Sequence, residues 1–397
     1  MSSGWPPTRS EILEGYIYWN LYIPNLYDFV YSNNLKSPSL TVEWLPRLEI
    51  PAGELYRVQK LILGTRAAEN EQNRLLLFQV KLPNYDDEGE PRSSVGNGKI
   101  KRVQQINHDG VVNRARYMPQ NPSIIATKTG STEVFIFDCT KHPSNPPGKG
   151  VCNPDLRLTG HKDKGHALSW SPFEQGHLLS GSEDGKVCLW DVNATPKDKK
   201  LKAMSIFDID QHGSVEDVAW HTTDKNLFGS VGEDKRVCIW DIRTPMVGLY
   251  KGGAHTAKVN SLAFNPISGW VIATGSSDRK VILFDLRMLS SAHRLHTLKW
   301  QAQEEVVHVR WNHKHENILA SSCAGRKLVV WDLNRIGRAQ TTEDAEEGPP
   351  ELLFLHGGHL DSITDFSWNP SCEWAVASVA EDKNLQIWEM KERIYED

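Results

Sequence analysis

Hydrophobic and polar positions follow one recurring pattern along this chain. A small or β-branched strand end is followed by a polar turn carrying Asp or Gly, and then by an apolar strand that ends in Trp-Asp. The clearest copy is Ser180–Asp191, SGSEDGKVCLWD. Other copies, at intervals of 44 to 57 residues, end at Asp138, Asp241, Asp285, Asp332 and Glu389. Near-regular recurrence of strand, turn and strand predicts a repeat architecture built from small sheets.

A second marker lies upstream of most copies, a His followed eight or nine residues later by an aromatic residue. The pairs are His108 and Tyr117, His161 and Trp170, His212 and Trp220, His255 and Phe264, and His359 and Trp368. The repeat ending at Asp332 keeps Trp311 but has Ala302 in place of the His. With six phased copies, this four-strand repeat resembles the WD40 β-propeller family, which implies a closed ring of sheets.

Composition and charge agree with a globular propeller. The 397 residues are 39% hydrophobic and 24% charged, and a propeller can use this length as one ring. We expect no membrane span, because no apolar run approaches about 18 residues, and no secretory signal. A net charge of −5 argues against direct nucleic-acid binding, which typically uses a basic surface. Six Cys residues without CxxC pairing predict reduced core thiols in a nuclear or cytosolic protein.

Residues 8–33 differ from the repeats and predict an amphipathic helix. Thr8–Glu11 fits a capping box. Apolar residues follow at helical spacing, at Ile12, Tyr16, Trp19 and Ile23. Pro24 should kink or interrupt the helix. The apolar face then resumes at Leu26, Phe29 and Val30. We therefore divide the chain into an N-terminal helix packed on the propeller, residues 1–37, and the propeller itself, residues 38–397.

Three strand-like runs precede the first repeat and predict a seventh blade. They are Leu40–Leu45, Tyr56–Leu63 and Leu75–Leu82, separated by loops containing Pro, Gly or Asn. The predicted fold class is thus all-β, a seven-bladed WD40 propeller with an N-terminal α-helix. We expect Leu40–Leu45 to pair into the last blade, because ring closure removes open sheet edges.

An acidic insertion, Asn334–Leu355, lies before His359 and is predicted to form a loop in the last blade. Its acidic residues are Glu343, Asp344, Glu346 and Glu347. Pro349 and Pro350 and an apolar run follow them. Consecutive prolines stiffen a loop, which would present the carboxylates to a partner, although a solvated acidic loop is the plainer interpretation.

Motifs outside the generic repeat carry a closer resemblance. They are NHDGVVNRARYMPQNP (107–122), IIATKT (124–129), CNPDLRL (152–158), GHLLSGS (176–182), EDVAWH (216–221), EDAEEGPPELLFLHGGH (343–359) and DFSWNP (365–370). These segments are similar to the histone-binding WD40 family, which includes the retinoblastoma-binding proteins and the small subunit of chromatin assembly factor, and they resemble its plant branch. The likeness runs from about Tyr16 to Tyr395.

The resemblance implies a non-enzymatic scaffold that takes the first helix of histone H4 in a groove between the N-terminal helix and the Pro-Pro loop. Carried over by position, the groove would use Leu26, Phe29, Val30, Asp344, Glu347, Gly348, Phe354 and Leu355. A partner helix would lay its apolar side on the Leu and Phe surface and its Lys or Arg residues on the carboxylates. Asn25 stands where relatives carry Phe, a change that would loosen or retune the groove.

The resemblance also implies a second site at the top of the central channel, where the basic tail of histone H3 or a similar peptide binds. The matching residues are Asn113, Glu216, Glu233, Asn260 and Glu381. The chain departs from the family at Val111, Lys164 and Lys258, where relatives carry Glu, at His166, where they carry Tyr, and at Val307, where they carry Phe. Because two acids have become lysines and one has become apolar, we predict that H3-tail binding is weakened or lost.

Other functions are weighed against this one. The recurring His, Asp and Ser could suggest a hydrolase, but a polar set repeated in most blades predicts a buried hydrogen-bond network. The spacing of His308, His313 and His315 fits a strand end and loop better than a metal site, so we predict no metal or cofactor. A generic adaptor, such as a ubiquitin-ligase substrate receptor, remains the alternative.

The histone-binding interpretation carries expectations about partners and location. The expected partners are histone H4, the H3–H4 pair, and subunits of chromatin assembly, Polycomb repressive or deacetylase complexes. We expect a nuclear protein that is a monomer within such hetero-complexes.

Overall fold

A computed structural model describes most of the chain. The described residues are 8–84, 99–146, 150–194, 196–208, 213–244, 249–251, 255–288, 294–300 and 304–396. Two markers of the sequence pattern, His212 and Ala302, lie outside them.

The predicted N-terminal helix is α1, Arg9–Leu26. Its capping box is confirmed, because the Glu11 carboxylate accepts the Thr8 N–H at 2.6 Å and Thr8 Oγ1 accepts the Glu11 N–H at 3.4 Å. Pro24 lies within the last turn and does not interrupt the helix, which ends where Tyr27 becomes extended. In the described part of the chain, no helix is long and apolar enough to cross a membrane.

The strands of the described residues form seven sheets around a central channel, which confirms the propeller. Blade 1 contains β2 (Val42–Glu49), β3 (Tyr56–Gly64), β4 (Asn73–Pro83) and β5 (Ile100–His108). Blade 2 contains β6 (Val112–Met118), β7 (Asn121–Thr129), β8 (Val134–Asp138), β9 (Leu156–Thr159) and the added edge strand β13 (Lys200–Lys202). Blade 3 contains β10 (Leu168–Trp170), β11 (His177–Gly181), β12 (Lys186–Asp191) and β14 (Ser205–Asp208).

The remaining four blades follow in chain order. Blade 4 contains β15 (Val215–Trp220), β16 (Leu227–Gly232), β17 (Val237–Asp241) and β18 (Leu249–Lys251). Blade 5 contains β19 (Val259–Phe264), β20 (Val271–Ser276), β21 (Val281–Asp285) and β22 (Arg294–Leu298). Blade 6 contains β23 (Val306–Trp311), β24 (Ile318–Cys323), β25 (Leu328–Asp332) and β26 (Leu352–His356). Blade 7 contains β27 (Ile363–Trp368), β28 (Ala375–Ala380), β29 (Asn384–Met390) and β1 (Tyr27–Asn34).

Short helices complete the described elements. The insertion contains α2, Thr342–Glu347. Single 3₁₀ turns occur at Cys139–Lys141, Leu286–Met288, Leu333–Arg335 and Glu392–Ile394.

The ring is closed by β1 rather than by Leu40–Leu45, and the sequence prediction was wrong on this point. β1 pairs antiparallel with β29, from Tyr27 opposite Met390 to Asn34 opposite Asn384. The run Leu40–Leu45 instead enters β2, which pairs with β3 inside blade 1. The propeller therefore begins at Tyr27, directly after α1, and not at residue 38.

The acidic insertion belongs to blade 6 and not to the last blade, which corrects a second prediction. It leaves β25 at Asp332, forms α2, and returns as β26, the outermost strand beside β25. The outer strand of each sheet precedes the next His motif in the chain, so the sequence repeat and the sheet are one strand out of phase. A repeat that ends in Trp-Asp therefore starts in the preceding blade.

The recurring His, Ser or Thr, and Asp residues form buried hydrogen-bond networks, as the repetition predicts. In blade 3 His161 Nε2 lies 2.6 Å from Ser180 Oγ, and Nδ1 lies 3.3 Å from the Asp184 carboxylate. Burial favours the neutral acid, but hydrogen bonds from His161 and the Lys162 N–H lower the pKa of Asp184 to about 2. The same geometry recurs at His255 with Thr274 and Asp278, and at His359 with Ser378 and Asp382. These groups join strands within a blade.

The six cysteines all lie in described segments and form no disulfide, in agreement with the sequence prediction of reduced thiols. Five are buried and Cys139 is half-buried. Burial raises the pKa of Cys188 to about 12, so this thiol stays protonated and packs as a small apolar side chain.

Candidate functional site

Helix α1 is fixed to the propeller along the predicted apolar stripe. Trp19 Nε1 donates to Tyr27 Oη at 2.8 Å, and Tyr27 Oη lies 2.9 Å from His356 Nδ1. Burial lowers the pKa of His356 well below its ordinary value, so the neutral ring can accept a hydrogen bond from the Tyr27 hydroxyl group. The Trp19 ring also lies over Gly358, where an added Cβ would come within 2.6 Å of it. Helix α1 is therefore docked where blades 6 and 7 meet.

The opposite side of α1 is exposed and apolar. Its exposed side chains are Leu13, Ile17, Tyr18, Leu21 and Tyr22. The side chains of the predicted apolar stripe are less exposed than these, since all four are half-buried: Ile12, Tyr16, Trp19 and Ile23.

Three segments that are distant in sequence meet at the C-terminal end of α1. The Lys391 N–H donates to the Leu26 carbonyl at 3.0 Å, and Arg393 Nη2 donates to the Asn25 carbonyl at 2.7 Å. Arg335, at the start of the insertion, donates through Nη2 to the Ile394 carbonyl at 3.2 Å. The C-terminal turn thus connects the helix to the insertion. Sequence reasoning missed this turn, and its only signal was the short apolar pair after the last repeat, Ile394 and Tyr395.

Three of the predicted groove residues share one apolar cluster. Leu26 and Val30 are half-buried beside buried Phe354, and the Tyr27 and Phe354 rings lie edge to face at 5.2 Å. Ile394 packs against the same cluster. This forms a partly open apolar surface bordered by α1, β1, β26 and the C-terminal turn.

Two other predicted residues lie elsewhere. Phe29 alternates with Val30 along β1 and packs beside Tyr31 in the blade 1 and blade 7 cluster, with ring centroids 4.9 Å apart. Leu355 alternates with Phe354 along β26 and packs toward blade 5, in the cluster that includes Leu283. Neighbouring residues in a strand face opposite sides of the sheet, so Phe29 and Leu355 do not share a surface with Leu26.

The acidic residues of the insertion are presented on α2. Glu343, Asp344, Glu346 and Glu347 are all exposed, and within the described residues none of them makes an ion pair. The helix is capped by Thr341, whose Oγ1 accepts the Asp344 N–H at 3.1 Å.

The C-terminal end of α2 is held against the propeller. Trp300 Nε1 donates to the Glu347 carbonyl at 2.9 Å. Gly348 follows in a confined position, where an added Cβ would lie 3.1 Å from Leu352 Cδ1. The insertion is therefore an ordered acidic projection rather than a loop without structure.

The residues predicted for the channel top are largely occupied by contacts within the chain. Asn113 donates to the Thr129 and Gly165 carbonyls, and Asn260 donates to the Val306 carbonyl at 2.7 Å. Lys258 Nζ lies 3.4 Å from the Glu216 carboxylate, and Glu381 forms an ion pair with Arg66. Glu233 is exposed, with a distant Ser214 N–H at 3.5 Å.

Two of the three predicted acids are therefore paired with cations of the chain itself. Lys164 also faces a carboxylate, Glu183, at 3.6 Å. His166 is exposed, and partial desolvation by the surrounding chain together with Arg114 lowers its pKa.

The three histidines considered for a metal site are dispersed. His308 Nε2 lies 3.0 Å from the Thr364 carbonyl, His315 contacts Glu373 at 3.0 Å, and His313 lines the central channel. Across the described ranges, no group of three or more His, Cys, Asp or Glu side chains is placed to hold a metal ion.

Two family models match this chain. One, described as the histone-binding protein RBBP4 or the corresponding component of the CAF1 complex, matches residues 14–84. The other, the WD domain with G-beta repeat, matches residues 152–191, 204–241, 248–285 and 351–389. The chain belongs to the histone-binding WD40 family. Both matched families are non-catalytic scaffolds.

The family's histone-binding region coincides with the site described above. The first match contains most of α1, the closing strand β1 and strands β2 to β4, and hence Leu26 and Val30. The last WD-repeat match contains β26, with Phe354. The partly open apolar surface is thus built from both matched regions, in a scaffold that binds histone H4.

Proposed function

We propose that this chain binds the first helix of histone H4 on the surface formed by Leu26, Val30 and Phe354, with the α2 carboxylates as the electrostatic partner. It would serve as a nuclear scaffold subunit of chromatin assembly, Polycomb repressive or deacetylase complexes. The observation that carries the proposal is a set of exposed acids that make no ion pair with any described residue. They lie on an ordered projection that is joined through Arg335 and the C-terminal turn to a half-buried apolar surface.

The physical basis is complementarity with a basic amphipathic helix. Leu26 and Val30 stay half-exposed in the free chain, so a partner's apolar side chains can remove them from water. Burial of a few hundred Å² of apolar surface at about 25 cal/mol per Å² would contribute several kcal/mol before ordering costs. Carboxylates of α2 would select Lys or Arg on the helix's polar side.

Asn25 adds a specific feature to this surface. Its side chain is exposed, and its backbone carbonyl accepts a hydrogen bond from the Arg393 guanidinium group. A polar residue at the edge of the apolar surface, where relatives carry Phe, reduces the apolar area offered to a partner. We therefore expect a measurable but modest affinity for the H4 helix.

The test is calorimetric titration of an H4 first-helix peptide into the full chain. The double variant Asp344→Lys, Glu347→Lys should lose binding by at least tenfold, because both substitutions place cations opposite the peptide's cations. The matched control Glu54→Lys, Glu69→Lys makes the same charge change at exposed positions of blade 1 and should leave the affinity within about twofold. Equal losses in both variants, or absence of binding to the wild type, would overturn the proposal.

A further inference from the structure

The seven inner strands enclose a cavity of about 370 Å³ at one end of the central channel. Residues just beyond the C-terminal ends of four inner strands line it, namely Pro119, Pro172, Pro266 and Pro370. The predicted H3-tail residues Asn113 and Glu216 lie at the opposite, N-terminal ends of these strands. The lining also includes Arg114 and Asp217, which directly follow these two residues, so the cavity extends from the proline end toward the predicted H3-tail site.

Three arginines line this cavity, and two of them are matched by carboxylates. Arg116 Nη2 lies 3.2 Å from the Asp365 carboxylate, and its Nε lies 3.7 Å from Glu43. Arg310 Nη2 lies 2.7 Å from the other oxygen of Asp365. Asp365 itself is fully buried behind the lining.

Arg114 is the exception. It is only 6% exposed, it lines the cavity, and its side chain donates from Nε to the His166 carbonyl at 3.1 Å. Within the described residues, no carboxylate lies within ion-pair distance of it. Asp217, a carboxylate that raises the pKa of Arg114 against the effect of burial, is engaged elsewhere, since one of its oxygens accepts from Ser261 Oγ at 3.0 Å and from the Leu262 N–H at 3.1 Å.

A largely buried guanidinium without a counter-ion at ion-pair distance is costly, because much of its charge has left water. The terminal nitrogens of Arg114 are left as donors toward the cavity. A guanidinium fork matches the oxygens of phosphate or sulfate in a bidentate manner. The volume exceeds that of about ten waters at 30 Å³ each, so a tetrahedral oxyanion fits together with bridging waters.

We propose that this end of the channel binds a phosphate-sized oxyanion, with Arg114 as the principal ligand and Arg310 beside it. The shared chemistry is a phosphate group, either free or carried by a small phosphorylated molecule. Bound anion would complete the charge balance of the channel wall and stabilise the ring of inner strands.

The other groups facing the cavity favour an anion at slightly acidic pH. Burial raises the pKa of Glu43 to about 7, against the opposing effect of Arg116 and of the Tyr117 N–H. Burial also lowers the pKa of His308 well below its ordinary value, and desolvation lowers the pKa of His313, although that side chain is partly open to solvent. Protonation of Glu43 therefore removes one negative charge from the cavity lining and favours a bound anion.

The decisive experiment titrates the full chain with inorganic phosphate, glycerol phosphate and sulfate by calorimetry at constant ionic strength. Wild type should bind saturably, and Arg114→Gln should weaken binding at least tenfold. Lys164→Gln, which removes an exposed cation outside the cavity lining, should change it by less than about twofold. Tighter binding of glycerol phosphate than of inorganic phosphate would identify an esterified ligand, and the reverse order would identify the free anion.

Three outcomes would overturn the proposal. They are absence of saturable binding to wild type, unchanged binding in Arg114→Gln, and equal weakening in Lys164→Gln. If Arg114→Gln does not fold, Arg114→Lys decides, because it keeps the charge but lacks the planar fork and should still weaken binding severalfold. Unchanged affinity in that variant contradicts the assignment.

A pH series with sulfate gives an independent readout, since the charge of sulfate is constant in this range. Affinity should fall severalfold between pH 6 and pH 8 as Glu43 ionises, and Glu43→Gln should remove most of this dependence. A pH dependence that survives in Glu43→Gln would exclude Glu43 as the group that controls the site.

Discussion

Asp365 of blade 7 holds the backbone of Val42 in blade 1, with Oδ2 accepting the Val42 N–H at 3.0 Å. The same carboxylate binds Arg116 of blade 2 and Arg310 of blade 6. Burial would raise the pKa of Asp365, but the Arg310 and Arg116 guanidinium groups hold it well below its ordinary value. One side chain therefore connects four blades around the channel, including the first and the last.

Replacement of Asp365 by Asn should lower the free energy of unfolding by about 3–5 kcal/mol, because two buried guanidinium groups lose their counter-ion. Urea denaturation at pH 7 measures the change. The control Asp361→Asn alters an exposed acid in the turn before β27 and should stay within about 0.5 kcal/mol. A decrease in the free energy of unfolding below about 1 kcal/mol for Asp365→Asn would show that this carboxylate does not stabilise the closed ring.

Because of Glu43, the free energy of unfolding should decrease as pH rises, whereas an acid with a lowered pKa makes it increase. The folded-state pKa of Glu43 is about 7, above the ordinary value of 4.5, so the folded chain holds a proton that the unfolded chain releases. This contribution is fully present below pH 4.5 and is lost as pH rises through 7. Glu43→Gln should therefore be more stable than wild type at pH 8 by about 1–3 kcal/mol.

Urea unfolding of wild type and Glu43→Gln between pH 5 and pH 8 checks this expectation. Glu54→Gln, at an exposed position of the same blade, serves as the control. The depressed pKa of Asp365 acts only at lower pH and does not interfere, since its contribution is lost below about pH 4. Parallel pH profiles for wild type and Glu43→Gln would refute the assignment.

The adjacent glycines beside Trp19 offer a matched test of helix docking. An Ala at Gly358 would bring its Cβ within 2.6 Å of the Trp19 ring and 2.3 Å of Gln386 Oε1, whereas an Ala at Gly357 would lie 3.9 Å from Trp19. Gly358→Ala should displace α1 and cost about 1–3 kcal/mol, and Gly357→Ala should be close to neutral. Amide exchange in α1 provides the measurement, with faster exchange expected in Gly358→Ala alone. Equal exchange in the two variants would show that Trp19 does not fix the helix.

Charge reversal at the channel top should recover binding of a basic tail. Lys258 forms an ion pair with Glu216, and Lys164 adds a second cation at the same end of the channel. The variant Lys164→Glu, Lys258→Glu should bind an H3 N-terminal peptide at least tenfold more tightly than wild type. Lys60→Glu, Lys101→Glu makes the same charge change at exposed positions of blade 1 and should have little effect. Tight binding by the wild type itself would contradict the predicted loss.

The sequence predicted the features that repeat or that depend on local chemistry. The His and Trp-Asp pattern predicted six blades, three strand-like runs before the first repeat predicted the seventh, and Thr8 with Glu11 predicted the start of α1. It did not predict the closing strand, because Leu26, Phe29 and Val30 fit a helical face as well as a strand, and only pairing with β29 decides between them. The alternation that separates Phe354 from Leu355 becomes visible only once β26 is recognised as a strand.

The channel cluster lay beyond sequence reasoning for a different reason. Glu43, Arg116, Arg310 and Asp365 come from four blades and carry no local signal. Arg114 even lies within a motif used to identify the family, NHDGVVNRARYMPQNP, which gives no indication that its side chain faces a cavity. Such groups are brought together only by closure of the ring.

The pairing of β1 with β29 also has a consequence for synthesis of the chain on the ribosome. Blade 7 cannot be completed until its last strand has left the exit tunnel, so the N-terminal strand must wait unpaired while six sheets form. The surface proposed for H4 needs Leu26, Phe354 and Ile394 together, and it therefore arises last. A nascent or truncated chain would expose an open strand edge and would lack this surface.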